Sequence, residues 1–321
     1  MDQRPTASLS LDLDNKWSYM KTHGDAGWDS FPSYLDLLVP RILRFLEERK
    51  LTISVMTVGQ DAALDKNREA LAVLGATAHE IGNHSFHHEP WLHLYSQAEI
   101  ESEIARAEEH IERATGKRPV GFRGPGFSLS PALLATLSRR GYLYDASTLP
   151  TYLGPLARAY YFMTSRLGRE DREKRKALFG GLRDGLRPIR PFLWRLAETR
   201  LLLEIPVTTM PFVKVPIHAS YLLYISSLTS PAVAAGYFRS ALTLCRLTGT
   251  RPSILLHPLD FLGCDDDASL AFFPAMGMPR ERKLQVLDRM LRLLCEEHRV
   301  VPLAEHAREL QRGDALPVMT P

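Results

Sequence analysis

Leu9-Ser10-Leu11-Asp12-Leu13-Asp14-Asn15 decides the fold of this chain. It reads as a short strand, residues 9–13, that ends in two aspartates one residue apart. A doubly wound nucleotide-binding sheet would place a glycine-rich phosphate loop after its first strand, and none follows here. Further β-rich runs fall at 52–58, 77–81, 120–123, 142–146, 203–207, 253–256 and 300–301. Helical patterns lie between most of them. One spans 34–49, with Ser33 as N-cap and Pro40 marking a kink or the true start. A second covers 61–74 and stops at Gly75. A third opens on the Ser96/Glu99 capping box and ends at Gly116. Others begin at Ser130-Pro131, at Pro231 and at Arg280. About eight strands alternating with helices imply a parallel sheet. Asp12, Asp14, His84, Arg123, Asp145 and His257 each sit at or just past the C-terminal end of a strand. Polar groups offered at one end by five different strands are the mark of a barrel rim.

The second informative run is Glu80-Ile81-Gly82-Asn83-His84-Ser85-Phe86-His87-His88, and five of the 11 histidines fall between 79 and 93. An Asp-x-Asp alone is commonly a turn, and a histidine-rich run is commonly a wet loop. The zincin pattern His-Glu-x-x-His fails, because Asn83 stands at its last position. Two imidazoles and one carboxylate suffice to hold a divalent ion with a position left for water. With Asp14, His84 and His88 as ligands, Asp12 is placed as general base. Amide cleavage also needs an acid for the leaving amine, and His257, in Leu256-His257-Pro258, ends an apolar strand. Arg123 would pair with Asp12, Gly126 would offer its N–H to an oxyanion, and Asp145 would accept from His257.

The bulk numbers describe ordinary globular material: 321 residues, 45% hydrophobic, 24% charged, net charge +3. Such a charge gives no case for nucleic acid. Three cysteines without Cys-x-x-Cys spacing fit reduced, mostly buried thiols. No basic-then-apolar leader is visible at the N-terminus. The most apolar stretch, 201–228, is broken by Pro206, Pro211 and Pro216 and is a poor spanning helix. A cytoplasmic protein is expected, with the inner membrane face as a possible site of action.

Five motifs in order resemble the polysaccharide deacetylases of the NodB-homology type, carbohydrate esterase family 4. They are Asp12-Leu13-Asp14, His84-Ser85-Phe86-His87-His88, Arg123-Gly124-Pro125-Gly126, Asp145-Ala146-Ser147 and Leu256-His257-Pro258. The resemblance covers about half of the chain and implies a single domain over 1–321 folded as an irregular (β/α)7 barrel. It implies Asp12 as base, Asp14, His84 and His88 as metal ligands, and His257 as acid. Leu13 between the aspartates is similar to the intracellular branch of the family. Gly126 replaces the usual Tyr, and Leu149 stands where a Trp often lines the acyl pocket.

The function implied is metal-dependent removal of an N-acyl group, foremost acetyl, from an aminosugar of a glycan or lipid-linked glycan precursor. Zinc suits the ligands; iron, cobalt or nickel would also fit. The alternatives are an allantoinase-like amidohydrolase of small amides or imides, a deformylase acting on a lipid-linked aminosugar, and a non-catalytic binding protein. Trp17, Trp28, Trp91 and Tyr95 are candidate stacking surfaces near the motifs. Residues 156–224 fall outside the resemblance and read as a helical insertion after the fifth strand. Within it, 158–200 holds twelve Lys/Arg and five Asp/Glu, a local charge of +7. Arg166, Arg169, Arg172, Lys174, Arg175 and Lys176, followed by Phe179, Leu182, Leu186, Phe192 and Trp194, would suit peripheral contact with anionic lipid.

Overall fold

The structure, a computed structural model, describes residues 4–156, 159, 163, 182–313 and 315–321. Its strands are β1 (Thr6–Leu13), β2 (Ser54–Thr57), β3 (Glu80–Asn83), β4 (Gly121–Phe122), β5 (Tyr144–Asp145), β6 (Phe192–Arg195), β7 (Leu201–Glu204), β8 (Ser253–Leu256), β9 (Arg299–Val301) and β10 (Val318–Met319). The sheet runs β10-β6-β7-β5-β4-β3-β2-β1-β8, with β9 joined to β1. Every pairing is parallel except β6 with β7. Seven parallel strands, from β7 round to β8, therefore make an irregular (β/α)7-type barrel. Among the described residues no ladder joins its two ends. Thr208 bridges them instead: its N–H donates to Ser253 O at 2.9 Å and its Oγ1 accepts from Ser253 N at 2.8 Å.

The period of two sorts β1 cleanly. Leu9, Leu11 and Leu13 face outward and join the core that holds Leu38, Ile42 and Leu46 of helix α2 (Leu35–Glu47). Alternate residues face inward: Ser8 bonds His306, while Ser10 and Asp12 bond Arg123. The barrel interior is thus polar along this strand, and each buried polar group there has to be matched. Glu80 of β3 shows how. It accepts from Tyr144 Oη at 2.8 Å and, through its other oxygen, from Ser54 and the Ala304 N–H. Ala304 lies in the first turn of the C-terminal helix (Leu303–Arg312), so a carboxylate meets the positive end of that helix at the bottom of the barrel. Tyr144 crosses the interior only because β4 contributes Gly121, where a Cβ would lie 2.0 Å from its ring.

The remaining helices are α1 (Lys16–His23), α3 (Gly59–Ala63), α4 (Arg68–Gly75), α5 (Gln97–Thr115), α6 (Pro131–Arg139), α7 (Ala219–Leu228), α8 (Pro231–Leu247) and α9 (Arg280–Glu297). The Ser96/Glu99 box caps α5 and Gly116 closes it at φ 71°. Elsewhere the boundaries differ from the sequence reading. Helix α2 starts at Leu35 and continues across Pro40, which lies on the exposed side of the helix, so Pro40 is not its start. Tyr34, not Ser33, is its N-cap, although Ser33 Oγ still accepts from Leu35 N at 3.2 Å. The single helix expected over 61–74 is two, because Asp61 and Asn67 turn their polar groups to each other and to Asn15, Trp17 and Ser33. Helix α7 falls inside the apolar stretch that the prolines seemed to break up.

Most of the basic stretch is not described: 157–158, 160–162 and 164–181 lie outside the described residues, and with them Arg166, Arg169, Arg172, Lys174, Arg175, Lys176 and Phe179. Two rings expected on its surface are in the core. Phe192 is fully buried and Trp194 nearly so, because β6 pairs onto β7 and packs them against α6 residues Leu133 and Leu137. Trp17 is likewise buried and is no stacking surface. Of the cysteines, Cys245 is buried and Cys264 is exposed; all three are free thiols. No described helix is long and apolar enough to cross a membrane.

Candidate active site

Strand register brings the site together. Asn83 lies opposite Phe122, which sets His84 beside Arg123. Leu11 lies opposite Leu256, which sets His257 alongside Asp12. At the common C-terminal rim, Asp14, His84 and His88 each offer a ligand atom, all within 4.8 Å of one another. Asp14 Oδ1 is 2.9 Å from His88 Nε2 and 3.4 Å from His84 Nε2. All three residues are buried.

The loop carrying the histidines is held in a strained shape. Ser85 and His88 have φ of 61° and 53°, left-handed values that side chains other than glycine rarely adopt. Glu103 of α5 pins it. Its carboxylate accepts the N–H groups of Phe86 at 3.1 Å and His87 at 3.0 Å, together with the His87 ring. Burial works to raise the Glu103 pKa, but the bonds from His87 outweigh it and the carboxyl stays below its ordinary value. Asn83 Oδ1 adds a bond from Ser85 N at 2.8 Å.

These residues fit a divalent cation on the chemistry of their donors. His84 Nδ1 lies 2.6 Å from the carbonyl oxygen of Arg123, an acceptor only, so that nitrogen carries the proton. A neutral His84 therefore turns a lone pair at the Asp14 carboxylate, an arrangement that calls for positive charge between them. Burial works to lower the His84 pKa, but Asp12 and Asp14 outweigh it and hold it above the ordinary value. Burial works to raise Asp14, but His88 and His84 hold it well below the usual carboxylate range. His88 departs from the usual pattern of a ligand steadied by a second hydrogen bond: its Nδ1 is buried without a partner.

Asp12 sits beside this cluster, with Oδ2 at 3.9 Å from His84 Nε2. Arg123 clamps it. The fully buried guanidinium donates Nη1 to Asp12 Oδ1 at 2.6 Å, Nη2 to Ser10 Oγ at 3.0 Å and Nε to Ala146 O at 2.9 Å. Gly126 takes φ 57° in the turn after Arg123 and lies against Pro90, just past the histidine loop.

Asp145 does not hold His257, contrary to the reading from sequence. In the ring of strands β7 stands between β5 and β8, so Asp145 faces Glu204 across the β5–β7 pair. Asp145 Oδ1 accepts from Ser147 Oγ at 2.6 Å, and Ser147 Oγ accepts the N–H of Gly124. Burial raises both acids; the charge of Asp145 raises Glu204 further, whereas the contact with Glu204 works to lower Asp145. Through Ser147, Asp145 braces the loop that follows Arg123. His257 is held by other groups: Ser220 Oγ lies 3.1 Å from its Nδ1 and donates to Asp260 Oδ1 at 2.7 Å, while Asp260 Oδ2 accepts the His257 N–H at 2.7 Å.

Three further residues carried no sequence signal. Asp61 is buried under the site; its Oδ1 accepts from Asn15, Trp17 and Asn67 and its Oδ2 has no partner. Burial, opposed by those bonds and helped by nearby Asp14, lifts its pKa to about 7. His218, the N-cap of α7, stands 6.1 Å ring to ring from His257. Ser220 is the third. An Asp-Asn contact 46 residues apart, or a histidine ahead of an apolar helix, has no local pattern by which to be found.

Residues 25–144 match the polysaccharide deacetylase family. That match excludes Asp12, Asp14 and His257. A peptidoglycan deacetylase of Helicobacter pylori is 25% identical over 111 residues, which cover 35% of this chain and 37% of that protein. A peptidoglycan deacetylase-like protein of Gibberella zeae is 35% identical over 79 residues, 25% of this chain and 23% of that one. The matched stretches thus span well under half the length of these relatives. Among solved structures, one from Mycobacterium smegmatis named as a polysaccharide deacetylase superposes with TM-score 0.63 at 19% identity, covering 100% of this chain and 96% of the other. Another named so, from Pseudomonas aeruginosa, gives 0.60 at 17% identity, covering 96% and 91%. Puue allantoinase gives 0.61 at 15% identity over the same shares, a likeness of fold alone. The likeness to the polysaccharide deacetylase family thus lies in residues 25–144, while the likeness over the whole chain is one of fold.

Proposed function

We propose that this chain is a metal-dependent hydrolase that removes an N-acyl group, foremost acetyl, from an aminosugar in a glycan. One observation carries the reading: Asp14, His84 and His88 converge within 4.8 Å, and Asp12 stands beside them held by Arg123. Asp14, His84 and His88 would hold the ion, with zinc the best fit to two imidazoles and a carboxylate. When bound, the ion acidifies a water and polarises the acyl carbonyl. Asp12, fixed by Arg123 beside the cluster, would take the proton from the attacking water. His257 gives a proton to the departing amine, and Ser220 with Asp260 holds its ring in position. The Gly126 N–H, in the loop braced by Ser147 and Asp145, is the candidate donor to the oxyanion. The Helicobacter pylori and Gibberella zeae relatives, by name, act on or resemble enzymes of peptidoglycan, which supports an N-acetylated glycan as substrate. A lipid-linked glycan precursor has the same reacting group, and the +7 stretch 158–200 would favour its presentation on anionic lipid.

Metal analysis coupled to acetate release from N-acetylated amino sugars tests the reading. One equivalent of divalent metal and metal-dependent release are expected. Asp12→Asn should keep the metal and lose turnover, and His84→Ala should lose both. Tight metal binding without turnover of any acylated amino sugar overturns it.

A further inference from the structure

We infer that the face of α7 carrying His218, Tyr221 and Tyr224 is a sugar-binding track leading out of the catalytic cleft, which holds saccharide units beyond the one that is deacylated. This rests on the N-deacylase reading above and specifies its substrate. The three residues recur at every third position of the helix start, so each lies about 4.5 Å further along the axis than the last. Their rings form a continuous strip: His218 to Tyr221 is 6.3 Å between centroids and Tyr221 to Tyr224 is 6.5 Å, with tilts of 52° and 47°. Tyr237, 6.2 Å from Tyr221, widens the strip, and its own hydroxyl is anchored on Pro216 O at 2.9 Å. The inner end is fixed in the site, since His218 stands 6.1 Å from His257.

The outer face of α7 is unusual for a surface helix. Ala219, Leu222, Leu223 and Ser226 are buried, while Tyr224 is 37% exposed and Leu228 67% exposed. Yet Ala219-Ser220-Tyr221-Leu222-Leu223-Tyr224-Ile225-Ser226-Ser227-Leu228 contains no charged residue. A solvated helix normally carries charges on its outer face. Aromatic faces with phenolic hydroxyls and no charge are complementary to a neutral pyranose, which offers C–H faces to rings and hydroxyls to polar tips. The His218 ring is partly exposed, and its buried Nδ1 has no partner among the described residues. Burial holds this imidazole neutral, with its pKa lowered to about 3, so it presents a hydrogen-bonding group to the sugar without a charge.

The test is calorimetric titration of the Asp12→Asn protein with β-1,4-linked N-acetylglucosamine oligomers of increasing length. Affinity should rise from monomer to trimer by roughly tenfold per ring stacked, the scale of one well-placed aromatic contact. Tyr224→Ala should abolish the gain with length and leave monomer binding unchanged, and Tyr224→Phe should restore the gain. Affinity independent of length, or a Tyr224→Ala protein that keeps the gain, overturns the track. Loss of the gain in Tyr224→Phe as well as in Tyr224→Ala also overturns it as a stacking surface. Sedimentation with neutral phosphatidylcholine vesicles that Tyr224→Ala abolishes, without oligomer binding, overturns it in favour of lipid. Length-dependent binding without acetate release by the unsubstituted protein leaves the track standing and removes the hydrolase reading. Acetate release with flat length dependence does the reverse.

Discussion

Arg123→Met isolates the electrostatic clamp on Asp12. The native guanidinium is fully buried and makes three side-chain bonds, to Asp12 at 2.6 Å, to Ser10 at 3.0 Å and to Ala146 O at 2.9 Å. Methionine fills much of the stem volume but supplies no charge. Asp12, only 4% exposed, is then left in the barrel without its counter-charge. Breaking a buried pair from one side costs about 3–5 kcal/mol, far beyond the loss of an exposed bridge. Adding Asp12→Asn removes the stranded charge, so the double variant should be more stable than the sum of single effects by about 2 kcal/mol. Urea unfolding of the four proteins in chelator, where no cation substitutes for the guanidinium, reads this directly. Both proteins lacking Asp12 should stay inactive after metal is restored, which separates the stability of the clamp from its chemistry. Additive single effects, or an Arg123→Met protein within 1 kcal/mol of the parent by the same cycle, would refute the clamp.

Asp61 should make the metal-free protein lose stability as pH rises. Its folded pKa of about 7 lies above the ordinary 3.8, so the native state binds more protons between those values and stability falls across that window. The full effect is about 4 kcal/mol at most, and Asp61→Asn should flatten the slope in urea titrations at pH 4, 5.5 and 7.5. Zinc at a hundredfold excess over its dissociation constant should add about 3 kcal/mol of stability by mass action, and His88→Ala should erase that gain in a thermal melt. Asp260→Ala should lower kcat by about tenfold or more with metal content unchanged, because His257 loses the group that fixes its backbone and Ser220; an unchanged kcat would show that the ring needs no such support.

The sequence by itself located what is local. The strand ends that carry Asp12, Asp14, His84, Arg123 and His257 follow from period-two runs and turn residues, and the α5 box and its closing glycine follow from side chains three residues apart. Membership of a parallel barrel followed too, from strands alternating with helices and the absence of a phosphate loop. Tertiary structure decided which rim residues meet. The ring order puts β7 between β5 and β8, so Asp145 faces Glu204 and His257 turns to Ser220 and Asp260. Pairing of β6 with β7 pulls Phe192 and Trp194 inward from a segment whose composition reads as surface. Helix α7 reads as a broken apolar run, yet packing its leucines against the barrel sets His218 and Ser220 at the mouth of the site. Local propensity acts over a few residues, whereas Ser220 and His257 lie 37 positions apart in the chain and Asp145 is farther still from Glu204, so only the folding of the barrel brings them together.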